Sequence, residues 1–179
     1  RIGGISFSGK NSIWMVLLVL VAIVWRIWEG GLGDSKPTPP ESMEEGVYAV
    51  ERVVDGDTLV LENGARIRLI GVNTPETVAP GKDVEEFGPE ASAYTKQFVE
   101  EAGGEGTLRV DKERLDRYDR FLAYVYSGDR FLNEELILVG LSPAETQYNN
   151  NPTLERRFEK AEEDARARRV GLWSLEASP

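Results

Sequence analysis

The chain has 179 residues, with 21 Lys and Arg against 31 Asp and Glu, and a formal charge of −10. It contains neither Cys nor His, which excludes disulfides, thiolate metal sites, the commonest zinc ligand and the commonest general base. Chemistry must run on carboxylates, arginines, lysines, tyrosines and hydroxyls, and the acidic balance is not that of a protein built for broad phosphate neutralisation.

Arg1 and Lys10 precede "IWMVLLVLVAIVW", Ile13 to Trp25, a run without charge that Arg26, Ile27 and Trp28 extend to 16 residues. This is just under the ~17–25 residues of a membrane-spanning helix. Trp14, Trp25 and Trp28 suit the two interfaces. A buried soluble helix would carry a polar face, and this run has none. "RIWEGGLGDS" after it lacks a small-residue cleavage signature. Residues 1–28 are therefore expected to be a membrane anchor acting through residues 13–28, with a cleaved signal segment as the alternative. The flanking charges place the N-terminus in the cytoplasm and the rest outside, at the cell membrane or, after cleavage, secreted. Residues 29–46, rich in Gly, Pro, Ser and acids, read as a flexible linker.

From Val47 the pattern becomes compact. "VYAVERVVDGDTLVLENGARIRLIGV" alternates apolar and polar residues, and predicts strands over 47–54, 57–62 and 66–72. Asn63-Gly64 predicts a hairpin turn, and Asp55-Gly56-Asp57 an earlier bend. "GPEASAYTKQFVEEAG" predicts a helix with Pro89 in its first turn. Strands over 106–111 and 121–127 follow. A short helix is then expected to open at Asn133, and a longer one to run from a Thr153 cap to a Gly171 stop. The order predicts an α+β, mainly β fold. It is a five-stranded OB-fold barrel with three helices over 47–175, preceded by the hydrophobic segment.

Polar residues gather at the ends of these strands. Asp55 and Asp57 flank Gly56. Arg68 lies in the third strand, with Asn73, Thr74 and Glu76 after its end, and Arg120 opens a later strand. Taken singly, Asp-Gly-Asp is a common turn and an Arg beside an Asp a common surface pair. Together they supply hard oxygen ligands for calcium, two arginines to clamp a phosphate and a glutamate to orient or deprotonate water.

The ordered motifs "VVDGDTLVLENGARIRLIGVNTPE", "GPEASAYTKQFVE", "RLDRYDRFLAYVY", "LNEELILVGL" and the terminal "GLW" resemble the staphylococcal nuclease (thermonuclease) family over residues 47 to 174. The resemblance implies a five-stranded OB barrel and a calcium-dependent nuclease that hydrolyses phosphodiester bonds of DNA and RNA with little sequence preference. It implies Asp57, the Thr74 carbonyl and position 73 as direct calcium ligands, with Asp55 acting through water. Glu76 matches the family's proposed general base, Arg68 and Arg120 its phosphate-binding arginines, and Tyr118 and Tyr148 its nucleotide-flanking tyrosines. A monomeric catalytic domain is expected.

Two features depart from the family. Asn73 stands where the family has a calcium-binding aspartate, so weaker metal binding is expected, tolerable only outside a low-calcium cytosol. From Gly46 onward the chain has 17 Lys and Arg against 26 Asp and Glu, where the secreted relatives are basic. Weaker and more salt-sensitive substrate binding is the expectation. The alternative function is a catalytically weakened nucleic-acid- or protein-binding module. Retention of Arg68, Glu76 and Arg120 favours catalysis.

Overall fold

The computed structural model describes residues 19–21, 37–77, 84–146 and 151–177. Residues 19–21 are helical and exposed. The rest of the expected anchor lies outside the described residues, and no described helix is long and apolar enough to cross a membrane.

Within the unit Pro37–Pro179, the strands are β1 (Gly46–Asp55), β2 (Thr58–Leu61), β3 (Arg66–Leu69), β4 (Glu105–Arg109), β5 (Phe121–Ser127) and β6 (Arg130–Phe131). The helices are α1 (Gly88–Glu101), α2 (Leu132–Leu138) and α3 (Pro152–Arg168), with a 3-10 turn at Gly171–Ala177. β1 serves two partners. Its first half pairs with β4, Gly46 opposite Leu108, and its second half with β2, Asp55 opposite Thr58. Register shifts after Val50 and Val53 bend the strand between the two, as bulges do. β2 returns antiparallel into β3, β3 runs parallel to β5, and β5 pairs with β4. These five strands close the expected barrel, so no long edge is left open.

The β2–β3 turn is the predicted one. Gly64 has φ 83° and the Asn63 side-chain oxygen accepts from Ala65 N–H at 3.0 Å. Leu59, Leu61, Ile67 and Leu69 point into a core completed by Val125, Phe98 of α1, Leu136 and Ile137 of α2, and Phe158 of α3, all nearly fully buried.

Several details differ from expectation, among them β4, which ends at Arg109 and not at residue 111. β3 ends at Leu69, not residue 72, because Gly71 at φ 76° turns the chain back. The two-residue β6 carried no periodic signal. Asn133 does not cap α2, whose cap position is Phe131. Its fully buried amide instead accepts from Val125 N–H at 3.0 Å and donates to Ile70 O at 2.8 Å, tying β5 to the end of β3. α3 is capped by Asn151, which accepts from Thr153 N–H at 2.9 Å, and it ends with Arg169 in the left-handed region. Gly171 opens the 3-10 turn instead. Part of the expected linker also packs on the barrel. Met43 is buried, the Glu45 carboxylate accepts from Val110 N–H at 3.1 Å, and Arg114 donates to Met43 O.

Candidate active site

The bend between β1 and β2 carries the first two acids. Only glycine fits at its middle, since a Cβ on Gly56 would lie 2.7 Å from both the Ala91 Cβ and the Thr74 hydroxyl. Thr95 of α1 fixes the bend by donating to Gly56 O at 2.6 Å. Asp57 is buried. Its Oδ2 accepts from Thr74 N–H at 2.9 Å and pairs with Arg68 Nη1 at 3.1 Å, and its Oδ1 accepts from the Thr58 hydroxyl at 3.0 Å. Asp55 accepts from Asp57 N–H at 3.2 Å. Burial, then the charge of Asp57 and a hydrogen bond to its carboxyl, push Asp55 up to about 6.

Arg68 is locked from the other side. Nη1 donates to Val72 O at 2.7 Å and Leu69 O at 3.1 Å, and Nη2 to the Asn73 side-chain oxygen at 3.0 Å. The turn at Gly71 makes this possible, bringing residues 72 and 73 back over the strand that carries the arginine. Ser142, buried, holds the loop from beneath by accepting from Asn73 N–H at 2.8 Å. Of five guanidinium donors, one N–H on Nε and one on Nη2 have no partner among the described residues.

Arg120 directly precedes β5, whose Phe121 and Leu122 lie opposite Ile67 and Arg68. The two arginines therefore come from neighbouring strands. Asp116 grips the second one. Its Oδ2 accepts from Arg120 Nε and Nη2, both at 2.7 Å, and its Oδ1 from the N–H groups of Tyr118 at 2.8 Å and Arg120 at 3.0 Å. Burial raises the Asp116 pKa, but these bonds outweigh it and the net shift is downward. Tyr118 is exposed, with the guanidinium of Arg117 4.8 Å and that of Arg120 5.4 Å from its ring centre. Glu76 is exposed; its N–H donates to Glu85 at 3.0 Å. Tyr148 lies outside the described residues.

The structure thus brings Asp55, Asp57, Arg68, Asn73 and Thr74 together. Among the described residues no group of three or more His, Cys, Asp or Glu forms a metal cluster. A hard dication nonetheless fits the donor chemistry. Two adjacent carboxylates, one with a raised pKa, gain from a nearby cation, and the Thr74 hydroxyl is buried without a hydrogen-bond partner. Sequence reasoning missed Asp116, Ser142 and Thr95. For Asp116 a signal existed: an aspartate that accepts from backbone two residues on is a common turn device.

A family profile described as "Staphylococcal nuclease homologue" matches residues 66–175. The chain is 37% identical over 169 residues to the thermonuclease of Staphylococcus hyicus, covering 92% of this chain and 98% of that protein. It is 36% identical over 163 residues to the thermonuclease of Staphylococcus intermedius, covering 88% and 95%. It is also 35% identical over 129 residues to the endonuclease YncB of Bacillus subtilis (strain 168), covering 70% and 60%.

Proposed function

The chain belongs to the staphylococcal nuclease family, and we propose that it is a calcium-dependent nuclease hydrolysing DNA and RNA phosphodiesters with little sequence preference. The observation that carries this reading is Arg68 paired with Asp57 at the Asp55–Asp57 bend, with Arg120 directly preceding β5, the strand that runs beside that of Arg68. Asp55, Asp57 and Thr74 would hold the ion. When bound, calcium supplies positive charge for the phosphate oxygens.

Arg68 and Arg120 bind the phosphate and stabilise the charge that builds on its oxygens, as fixed donors do in a preorganised site. Glu76 accepts a proton from water as its oxygen attacks phosphorus, the bond to the opposite ester oxygen breaks, and that oxygen takes up a proton as it leaves. Family resemblance favours 3′-phosphate ends. Tyr118 stacks beside the nucleotide. Residues 13–28 hold the domain at the outer face of a membrane, a reading supported by their uncharged, Trp-flanked run.

The test is digestion of single-stranded DNA and of RNA with calcium, then with a chelator in excess. Cleavage that stops with chelator and returns with calcium is expected. Unchanged cleavage in chelator would remove the metal from the reaction, and binding without cleavage would favour the non-catalytic module.

A further inference from the structure

The Arg68 head meets two polar side chains among the described residues: Nη1 lies 3.1 Å from the Asp57 carboxylate, and Nη2 donates to the Asn73 oxygen at 3.0 Å. The Asn73 backbone is fixed by buried Ser142, while the residue is exposed. The amide's orientation is dictated by its partner, since Arg68 only donates and the amide nitrogen cannot accept. A carboxylate can sit between two cations because it carries a full negative charge. A neutral amide oxygen already holding a guanidinium at 3.0 Å is a poor ligand for a dication as well, because the two cations would repel across one partial charge.

We propose that Asn73 is a positioning residue for Arg68 and not a ligand of the metal. It fixes the guanidinium so that its remaining Nε and Nη2 donors meet the scissile phosphate, without neutralising the arginine's charge. The inference rests on the reading of Arg68 as a phosphate-binding group given above.

The test combines calcium titration by calorimetry with cleavage of a short single-stranded DNA at saturating calcium. The proteins are the wild type, Asn73→Ala, Arg68→Ala and the double variant. Asn73→Ala is expected to leave the calcium dissociation constant within about twofold and to lower kcat about tenfold with KM little changed. In the Arg68→Ala background the same substitution is expected to change kcat less than about twofold, since residues acting through one group are not additive. Calcium binding weakened about tenfold or more in Asn73→Ala would overturn the proposal and make the amide a ligand. So would a full tenfold fall in the Arg68→Ala background. Wild-type turnover in Arg68→Ala alone would instead sink the parent reading of the arginine, and the proposal with it.

Discussion

Replacing Asp116 by Asn tests how Arg120 is held. The amide keeps Oδ1 for the two backbone N–H groups but loses the Oδ2 acceptor of both 2.7 Å guanidinium bonds. An exposed ion pair is worth about 0–1 kcal/mol, while breaking a buried one costs about 3–5 kcal/mol. The side chains are 21% and 17% exposed, between these limits, so a loss near 2 kcal/mol is expected at neutral pH. The Asp116 pKa is lowered on folding. Its stabilisation is therefore present above the unfolded carboxylate value of about 3.9 and fades as pH falls through the lower folded value. The gap between wild type and Asp116→Asn should thus be full at pH 7 and close progressively below pH 4. Urea unfolding of a chain starting at Pro37 would measure it, with Trp173, the one tryptophan after Trp28, as the probe. Turnover should fall about tenfold, less than the 10²–10³-fold cost of losing a transition-state donor outright. An equal stability loss at pH 3 and pH 7 would refute the charge argument, and unchanged turnover would show that Arg120 needs no such support.

Arg68→Lys and Arg120→Lys keep the charge but lose the planar fork, and each is expected to lower turnover about 10²–10³-fold; near-full activity in either would leave that arginine a structural role. Glu76→Gln should lower kcat more than it raises KM, and steady-state kinetics with unchanged kcat would remove the glutamate as base. A chain beginning at Glu41 should fold as stably as one beginning at Pro37, whereas one beginning at Gly46 loses the buried Met43 and the Glu45–Val110 bond. The latter should be less stable by about 3 kcal/mol in urea unfolding, and equal midpoints would show that the segment merely rests on the surface.

The barrel was legible because its signals are local. Alternation marks β1 to β3, Asn63-Gly64 marks their turn, and helical spacing with an early Pro marks α1. What escaped depends on partners far along the chain. Asn133 looks like a cap until Val125 and Ile70 stand beside it, because buried backbone groups of two strands outcompete the local capping preference. Position 73 was legible as a site but not in its hydrogen bonding. Its contact with Arg68 exists only because Gly71 adopts a positive φ and reverses the chain. Asp116 was legible at most as a turn residue; its grip on Arg120 was not, because charge alone does not say which of the neighbouring acids, Glu113, Asp116 or Asp119, an arginine will choose.

The acidity of the chain and the work of binding an anion are reconciled at the level of single side chains. Arg120 is oriented by a carboxylate, which fixes it firmly but offsets its charge. Arg68 is oriented mainly by neutral acceptors, the carbonyls of Leu69 and Val72 and the amide of Asn73. Its one ion-pair partner among the described residues is Asp57, a residue that on the calcium reading belongs to the ion. With a dication beside Asp55 and Asp57, the negative charge facing Arg68 would be balanced by metal while the neutral acceptors kept the guanidinium in place. Arg68 would then present its charge to a phosphate without a competing carboxylate. The Asn73 amide holds the guanidinium without adding a negative charge beside it, whether or not the ion is bound.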